Sequence, residues 1–100
     1  MGVAVGMGAM RRVREGVVEI KRMFVRPSAR GQRAGARILE HLLDEARSCG
    51  ARHVLLDTVR FMADAQRLYR ARGFVEREPY EESEIPRHLR EHWLFFERAL

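Results

Sequence analysis

Residues 18–46 read VEIKRMFVRPSARGQRAGARILEHLLDEA, a stretch in which a strand pattern passes through a turn into a helix pattern. Apolar and polar side chains alternate along residues 17–25, as is typical of a β-strand, and Pro27 ends that strand. The apolar residues between 38 and 49 recur at helical spacing, and Gly50 fits the position after a helix end. The stretch therefore predicts a strand, a glycine-containing turn and an amphipathic helix.

The segments on either side predict the rest of the sheet. Residues 2–13 predict a first strand, and a turn at residues 14–16 makes it antiparallel to the strand at 17–25. The apolar run 53–58 follows the helix, and a strand–helix–strand unit places its two strands parallel through a right-handed crossover. We therefore expect a mixed sheet.

The C-terminal part predicts one more helix and two more strands. The helix covers residues 63–72 and ends at Gly73, after which Phe74 and Val75 begin a strand. The aromatic run from residue 93 to residue 100 predicts the closing strand. We expect a single α/β domain over residues 1–100, with a mixed central sheet and flanking helices.

Composition excludes several classes of protein. The chain has 100 residues, 46% of them hydrophobic and 33% charged, which suits one small globular domain with one core. No apolar run approaches the roughly 18 to 20 residues that cross a bilayer, and the opening MGVAVGMGAM lacks the basic segment of a signal peptide. The single cysteine excludes an internal disulfide and a cysteine-rich zinc site. We therefore expect a cytoplasmic protein without a membrane partner.

The charges are unevenly distributed. The net charge is +5, yet residues 76–84 hold five glutamates. The basic part could attract an anion and the acidic part a cation, and a solvated surface explains both equally well. A basic nucleic-acid-binding module stays open as an alternative, although the aromatic residues fall at predicted core positions and no nucleic-acid motif is present.

The turn at residues 30–36, RGQRAGA, is suited to binding an anion. Its glycines and alanines let successive backbone N–H groups converge, and the helix that follows adds partial positive charge at its N-terminus. Arg30 and Arg33 add full charges. The turn would accept a pyrophosphate, and a plain structural turn is about as good an interpretation.

Two motifs resemble the GCN5-related N-acetyltransferase (GNAT) family. Residues 18–46 resemble its fourth strand, pyrophosphate loop and third helix, with RGQRAG at 30–35 on the Gln/Arg-x-x-Gly-x-Gly/Ala motif. Residues 63–74, ADAQRLYRARGF, are similar to its later A-x-x-LY-x-x-x-GF segment. Arg33 stands where the motif usually has its first glycine, and the chain begins where the family's second strand would be. The resemblance implies a GNAT-like, N-terminally truncated fold with a mostly antiparallel sheet.

The resemblance implies an N-acetyltransferase that moves the acetyl group of acetyl-CoA to a primary amine of a small molecule or protein by direct attack. Acetyl-CoA would be a co-substrate, and no metal is implied. The residues implied to bind acetyl-CoA are Met23, Phe24, Val25, Arg30, Gly31, Gln32, Arg33, Ala34, Gly35, Ala36, Thr58 and Ala65. Backbone N–H groups around Phe24 and Val25 would receive the thioester oxygen.

Two side chains are the catalytic candidates that the resemblance implies. Glu19 would be the general base, although an alternating strand also needs a polar residue on its wet face. Tyr69 would protonate the departing thiolate, and a core tyrosine beside Leu68 and Phe74 is the competing interpretation. Asp57 and Thr58 end the parallel strand, where a splay between strands would admit the pantetheine arm.

Further alternatives concern metals, partners and activity. Residues 88–92, HLREH, match the H-x-x-E-H zinc-protease pattern, which we interpret as a chance match because the residues that follow predict a strand. A non-catalytic CoA-binding fragment is a further alternative to the enzyme. Exposed sheet and core edges would suit a homodimer, and the amine acceptor is unidentified.

Overall fold

The computed structural model describes the backbone of residues 6–25 and 34–100, and the side chains of residues 9–21 and 34–100. The helices and strands are β1 (Gly6–Arg14), β2 (Val17–Val25), α1 (Ala34–Ser48), β3 (His53–Val59), α2 (Ala63–Ala71), β4 (Val75–Arg77), a 3₁₀ helix (Arg87–His92) and β5 (Trp93–Ala99).

The five strands form one sheet in the order β1-β2-β3-β5-β4. Only the β2–β3 pair is parallel among the described strands, while β1–β2, β3–β5 and β4–β5 are antiparallel. The predicted mixed, mostly antiparallel sheet is confirmed. No helix in residues 6–25 or 34–100 is long and apolar enough to cross a membrane.

The predicted turns and helix ends agree with the structure. Gly16 in the β1–β2 turn has φ +76°, Gly50 after α1 has +82° and Gly73 after α2 has +88°, which are left-handed values that favour glycine. The strand predicted at 17–25 matches β2, and the strand predicted from residue 53 extends to Val59. The start of the first predicted strand, residues 2–5, lies outside the described residues.

The sheet has a hydrophobic core on each of its two faces, whereas the sequence predicted a single core. The helix-side core joins α1 and α2 to alternate residues of the strands and consists of Val18, Ile20, Leu39, Leu42, Leu43, Ala46, Val54, Leu56, Tyr69, Phe74, Leu94 and Phe96. The opposite core is smaller and consists of Val17, Leu55, Tyr80 and Phe95. The β4–β5 connection, residues 78–92, supplies Tyr80 and covers that face of the sheet. Both faces of β2 are therefore buried near its start.

The pairing between β2 and β3 is short. Residues 17–19 of β2 pair with residues 53–55 of β3, and no further pair joins the two strands in the described residues. β2 continues to Val25 along β1, whereas β3 continues to Val59 along β5. The strands therefore separate, and we call the space between residues 20–25 and residues 56–59 the strand gap.

Candidate functional site

The residues predicted to receive the thioester lie along the strand gap. Met23, Phe24 and Val25 belong to the part of β2 that no longer pairs with β3, and Phe24 faces Met7 of β1 in the register. Thr58 lies on the β3 side, buried, and pairs with Leu94 of β5. Backbone groups of β2 that point toward the gap are thus left without a partner on β3.

The predicted pyrophosphate site is described only in part. α1 begins at Ala34, so Ala34, Gly35 and Ala36 form its first turn, whose backbone N–H groups have no partner within the helix. Arg30, Gly31, Gln32 and Arg33 lie outside the described residues. Ala65, in the first turn of α2, is partly buried and packs against the helix-side core.

Glu19 is fully buried beneath the β4–β5 connection. Its relative exposure is 0%, so the alternative that it serves the wet face of β2 is wrong. Arg11 Nε, on the facing residue of β1, donates to Glu19 Oε1 at 2.8 Å, and the Tyr80 hydroxyl donates to Oε2. Lys21 Nζ lies 3.8 Å from Oε1. Each oxygen of this buried carboxylate therefore has a hydrogen-bond donor, as a buried charge requires.

Asp57 is the second carboxylate on that face. It lies two residues after Leu55 on β3, where the strand has just left β2, and its side chain is partly buried. Its Oδ2 atom is buried and has no hydrogen-bond partner among the described residues. Burial and the negative charge of Glu19 raise the pKa of Asp57 from 3.8 to about 6, against the opposing effect of Lys21. A partly buried carboxyl with a raised pKa and one buried oxygen that lacks a hydrogen-bond donor therefore lies beside the strand gap.

Tyr69 fits both interpretations that the sequence left open. Its ring belongs to the helix-side core, with centroids 6.0 Å from Phe74 and 5.9 Å from Phe96. Burial raises the pKa of the phenol, and the negative charge of Asp57 raises it further. The hydroxyl therefore keeps its proton at neutral pH, and the phenol interacts electrostatically with the carboxylate of Asp57 across the sheet.

Sequence reasoning missed Tyr80. Its ring meets Phe95 edge-on at 5.4 Å, and the Arg77 guanidinium lies 5.7 Å from the ring centre. Burial and the hydrogen bond to Glu19 raise its pKa above the usual range. The available signal was an aromatic residue in the middle of the acidic stretch, since an exposed loop has little need of one.

The glutamates of the acidic stretch are largely paired with basic side chains of the same chain. Glu82 binds Arg14, and Glu84 Oε1 accepts from Lys21 Nζ at 2.5 Å. Glu76 accepts from Arg70 at 2.9 Å, and Glu81 from Arg87 at 3.2 Å. Hydrogen bonding by its own backbone N–H and by Arg14 lowers the pKa of Glu82. The stretch thus holds the β4–β5 connection on the sheet, and its charge is mostly compensated.

The H-x-x-E-H residues lie in the 3₁₀ helix. With three residues per turn, positions four apart lie about 120° away from each other, so His88 and His92 do not share one helix face. Within the part of the chain that the structure describes, no group of three His, Cys, Asp or Glu side chains is arranged to hold a metal.

Comparisons with known proteins agree with this geometry. The family model described as Acetyltransferase (GNAT) family matches residues 1–74. The IAA acetyltransferase of Azospirillum brasilense is 46% identical over 80 residues, which cover 79% of this chain and 52% of that protein.

Two solved structures have the same fold. A proposed acyl-CoA N-acyltransferase from Klebsiella pneumoniae has a TM-score of 0.84 at 29% identity, covering 96% of this chain and 63% of that one. A proposed acetyltransferase from Salmonella typhimurium, solved with acetyl-CoA, has a TM-score of 0.77 at 27% identity and covers 99% and 60%. The chain spans about half the length of the Azospirillum relative. Because the family model matches residues 1–74, the chain belongs to the GNAT family of acetyltransferases.

Proposed function

We propose that this chain is the acetyl-CoA-binding and catalytic part of an N-acetyltransferase that acetylates a primary amine of a small molecule or protein. The observation that carries the proposal is the separation of β2 from β3 directly after Glu19 and Leu55, with Asp57 beside the gap. An opening through a sheet gives the narrow pantetheine arm a path to charged groups on the far face. The family membership and the acetyl-CoA in the Salmonella neighbour support this co-substrate.

We assign the two ends of acetyl-CoA to two parts of the chain. The pyrophosphate would lie at the first turn of α1, held by Ala34, Gly35 and Ala36 and by the preceding loop with Arg30, Gly31, Gln32 and Arg33. The thioester would lie in the strand gap, near the backbone of Met23, Phe24 and Val25, with Thr58 and Ala65 along the arm. This assignment supplies positive potential for the phosphates and hydrogen-bond donors for the carbonyl oxygen.

The transfer needs three proton movements. An alkyl ammonium has a pKa of about 10.4, so it must lose a proton before its nitrogen can attack the thioester carbon. The C–N bond forms and the nitrogen releases its second proton to water. The C–S bond breaks, and the thiolate takes a proton to leave as CoA. We propose Tyr69 as the donor: its phenol is protonated at neutral pH and can give its proton to the sulfur as the C–S bond breaks. The base is a carboxylate on the face of Glu19 and Asp57: Glu19 itself, as the resemblance implies, or a group that Glu19 orients.

Calorimetric titration with acetyl-CoA tests the co-substrate. We expect the chain to bind acetyl-CoA with a Kd of micromolar order, about −8 kcal/mol. Gly35→Glu should weaken binding at least about tenfold, because it adds a carboxylate to the first turn of α1. Ser48→Glu is the matched control, since it makes the same charge change about 20 Å away at the other end of α1. Equal binding by wild type and Gly35→Glu would contradict the assignment.

A thiol-release assay then tests the transfer. The amines are single amino acids, a polyamine, an aminoglycoside and a lysine-containing peptide. Binding of acetyl-CoA without thiol release from any of them would favour the non-catalytic CoA-binding alternative. Salt-dependent binding of DNA by a folded chain that does not bind acetyl-CoA would favour the nucleic-acid alternative. The homodimer and the cytoplasmic location stay predictions.

A further inference from the structure

We infer that Asp57 accepts a proton of the attacking amine, and that Glu19, held by Arg11 and Tyr80, does not. The inference rests on the proposed function and deepens it by assigning the base. It differs from what the family resemblance implied, because that resemblance gave this role to Glu19.

Glu19 is poorly placed to take a proton from a substrate. Its exposure is 0%, and the β4–β5 connection covers it. Arg11 occupies Oε1 and Tyr80 occupies Oε2. Both oxygens of Glu19 are therefore engaged with groups of the chain itself, in a side chain that solvent does not reach.

Asp57 has what Glu19 lacks. Its side chain is only partly buried, and its buried Oδ2 atom has no hydrogen-bond partner among the described residues. Asp57 lies two residues after Leu55, the last residue of β3 that pairs with β2. An amine that reaches the strand gap from this face would therefore meet the partly exposed side chain of Asp57.

The charged groups around Asp57 tune it for proton transfer. β2 contributes Glu19 and Lys21, β1 contributes Arg11, and the β4–β5 connection contributes Glu84. Burial is the largest effect; Glu19 and Glu84 raise the pKa of Asp57 further, Lys21 and Arg11 lower it, and the result is a pKa of about 6. A carboxylate of that pKa is mostly ionised at neutral pH and is a stronger base than an ordinary aspartate, which suits a general base.

The same placement couples two of the proton movements. While Asp57 is ionised, its charge raises the pKa of Tyr69. When the Asp57 carboxylate takes one proton of the ammonium, that charge disappears and Tyr69 becomes a better acid as the C–S bond breaks. The nitrogen gives its second proton to water once the C–N bond has formed. Asp57 thus gains one proton, Tyr69 loses one to the thiolate, and water resets both groups after the amide and CoA leave.

The test compares Asp57→Asn, Glu19→Gln and the matched control Asp44→Asn, which makes the same change at an exposed carboxylate of α1. Glu19→Gln should keep an acidic limb in the pH profile of kcat/KM, shifted to lower pH because the charge of Glu19 raises the pKa of Asp57, and loss of that limb would overturn the inference. With the most active amine of the panel, Asp57→Asn should lower kcat/KM by about 100-fold or more while acetyl-CoA affinity stays within about threefold. Asp44→Asn should change neither quantity. Wild-type kcat/KM should fall about tenfold per pH unit below about pH 6. This acidic limb of the pH profile should disappear in Asp57→Asn.

A carboxyl ¹³C titration followed by NMR needs no acceptor. We expect one signal that titrates near pH 6 and is missing in Asp57→Asn. An Asp57 signal that titrates near its ordinary value of 3.8 would overturn the inference, as would an Asp57→Asn variant within about threefold of wild type. Failure of the wild type to bind acetyl-CoA would instead refute the proposed function, so the two failures are distinguishable.

Discussion

Replacing Asp57 with asparagine is expected to stabilise the folded chain near pH 8 and to have little effect near pH 4. The folded pKa of about 6 exceeds the ordinary value of 3.8, so the folded chain holds this proton more tightly than the unfolded chain does. The protonated group therefore favours folding below pH 3.8, and this contribution is lost as the pH rises through about 6. Above that pH, burial of the charged form opposes folding.

The magnitude follows from the pKa difference of about 2, which corresponds to about 3 kcal/mol. Because Asp57 is partly exposed, screening by water reduces this to roughly 1–2 kcal/mol. An asparagine of the same shape removes the charge. Urea unfolding at about pH 8 should therefore give Asp57→Asn a free energy of unfolding roughly 1–2 kcal/mol higher than that of wild type. The melting temperature of the variant should rise by at least about 4 °C for a domain of this size.

The comparison across pH decides whether the charge is the cause. Near pH 4 the wild-type carboxyl is mostly protonated in the folded chain, so the two proteins should differ little. Asp44→Asn, at an exposed position, is the control and should shift stability by less than about 0.5 kcal/mol at either pH. An Asp57→Asn variant that is less stable than wild type near pH 8, or equally stabilised at both pH values, would refute the reasoning.

Two predictions concern the two cores. Tyr80→Phe should lower the free energy of unfolding by about 1.5–3 kcal/mol, because it removes a hydrogen bond to the buried carboxylate of Glu19; unchanged urea unfolding would contradict that bond. Leu43→Ala should cost about 2–5 kcal/mol, since Leu43 is fully buried between α1 and the sheet. Leu89→Ala, on the exposed 3₁₀ helix, is its control, and an equal loss in both variants would argue against the packing described for α1.

Local patterns predicted the parts of the fold that depend on neighbours in the sequence. The alternation in β2, the helical spacing in α1 and the glycine at each turn determine backbone conformation within a few residues. The splay of β2 from β3 came from the family resemblance. The loop with Arg30 and Arg33 lies outside the described residues, so its anion-binding role stays a prediction.

The burial of Glu19 could not be predicted in this way. It depends on a segment some 60 residues later in the chain folding over β2, with Tyr80 as its anchor. A polar residue in an alternating strand has the same pattern whether water or a distant segment covers it. The lack of a donor to the buried Oδ2 of Asp57 is likewise a product of packing, since it depends on which donors the other elements bring to that face.

The short β2–β3 pairing has a mechanical consequence. Within the described residues, the backbone ladder divides into a β1–β2 ribbon and a three-stranded β3–β5–β4 ribbon, joined by three residue pairs and by the α1 crossover. Opening the seam between the ribbons would break few main-chain hydrogen bonds and leave each ribbon intact. Amide hydrogen exchange should therefore report two cooperative units whose boundary passes through the strand gap.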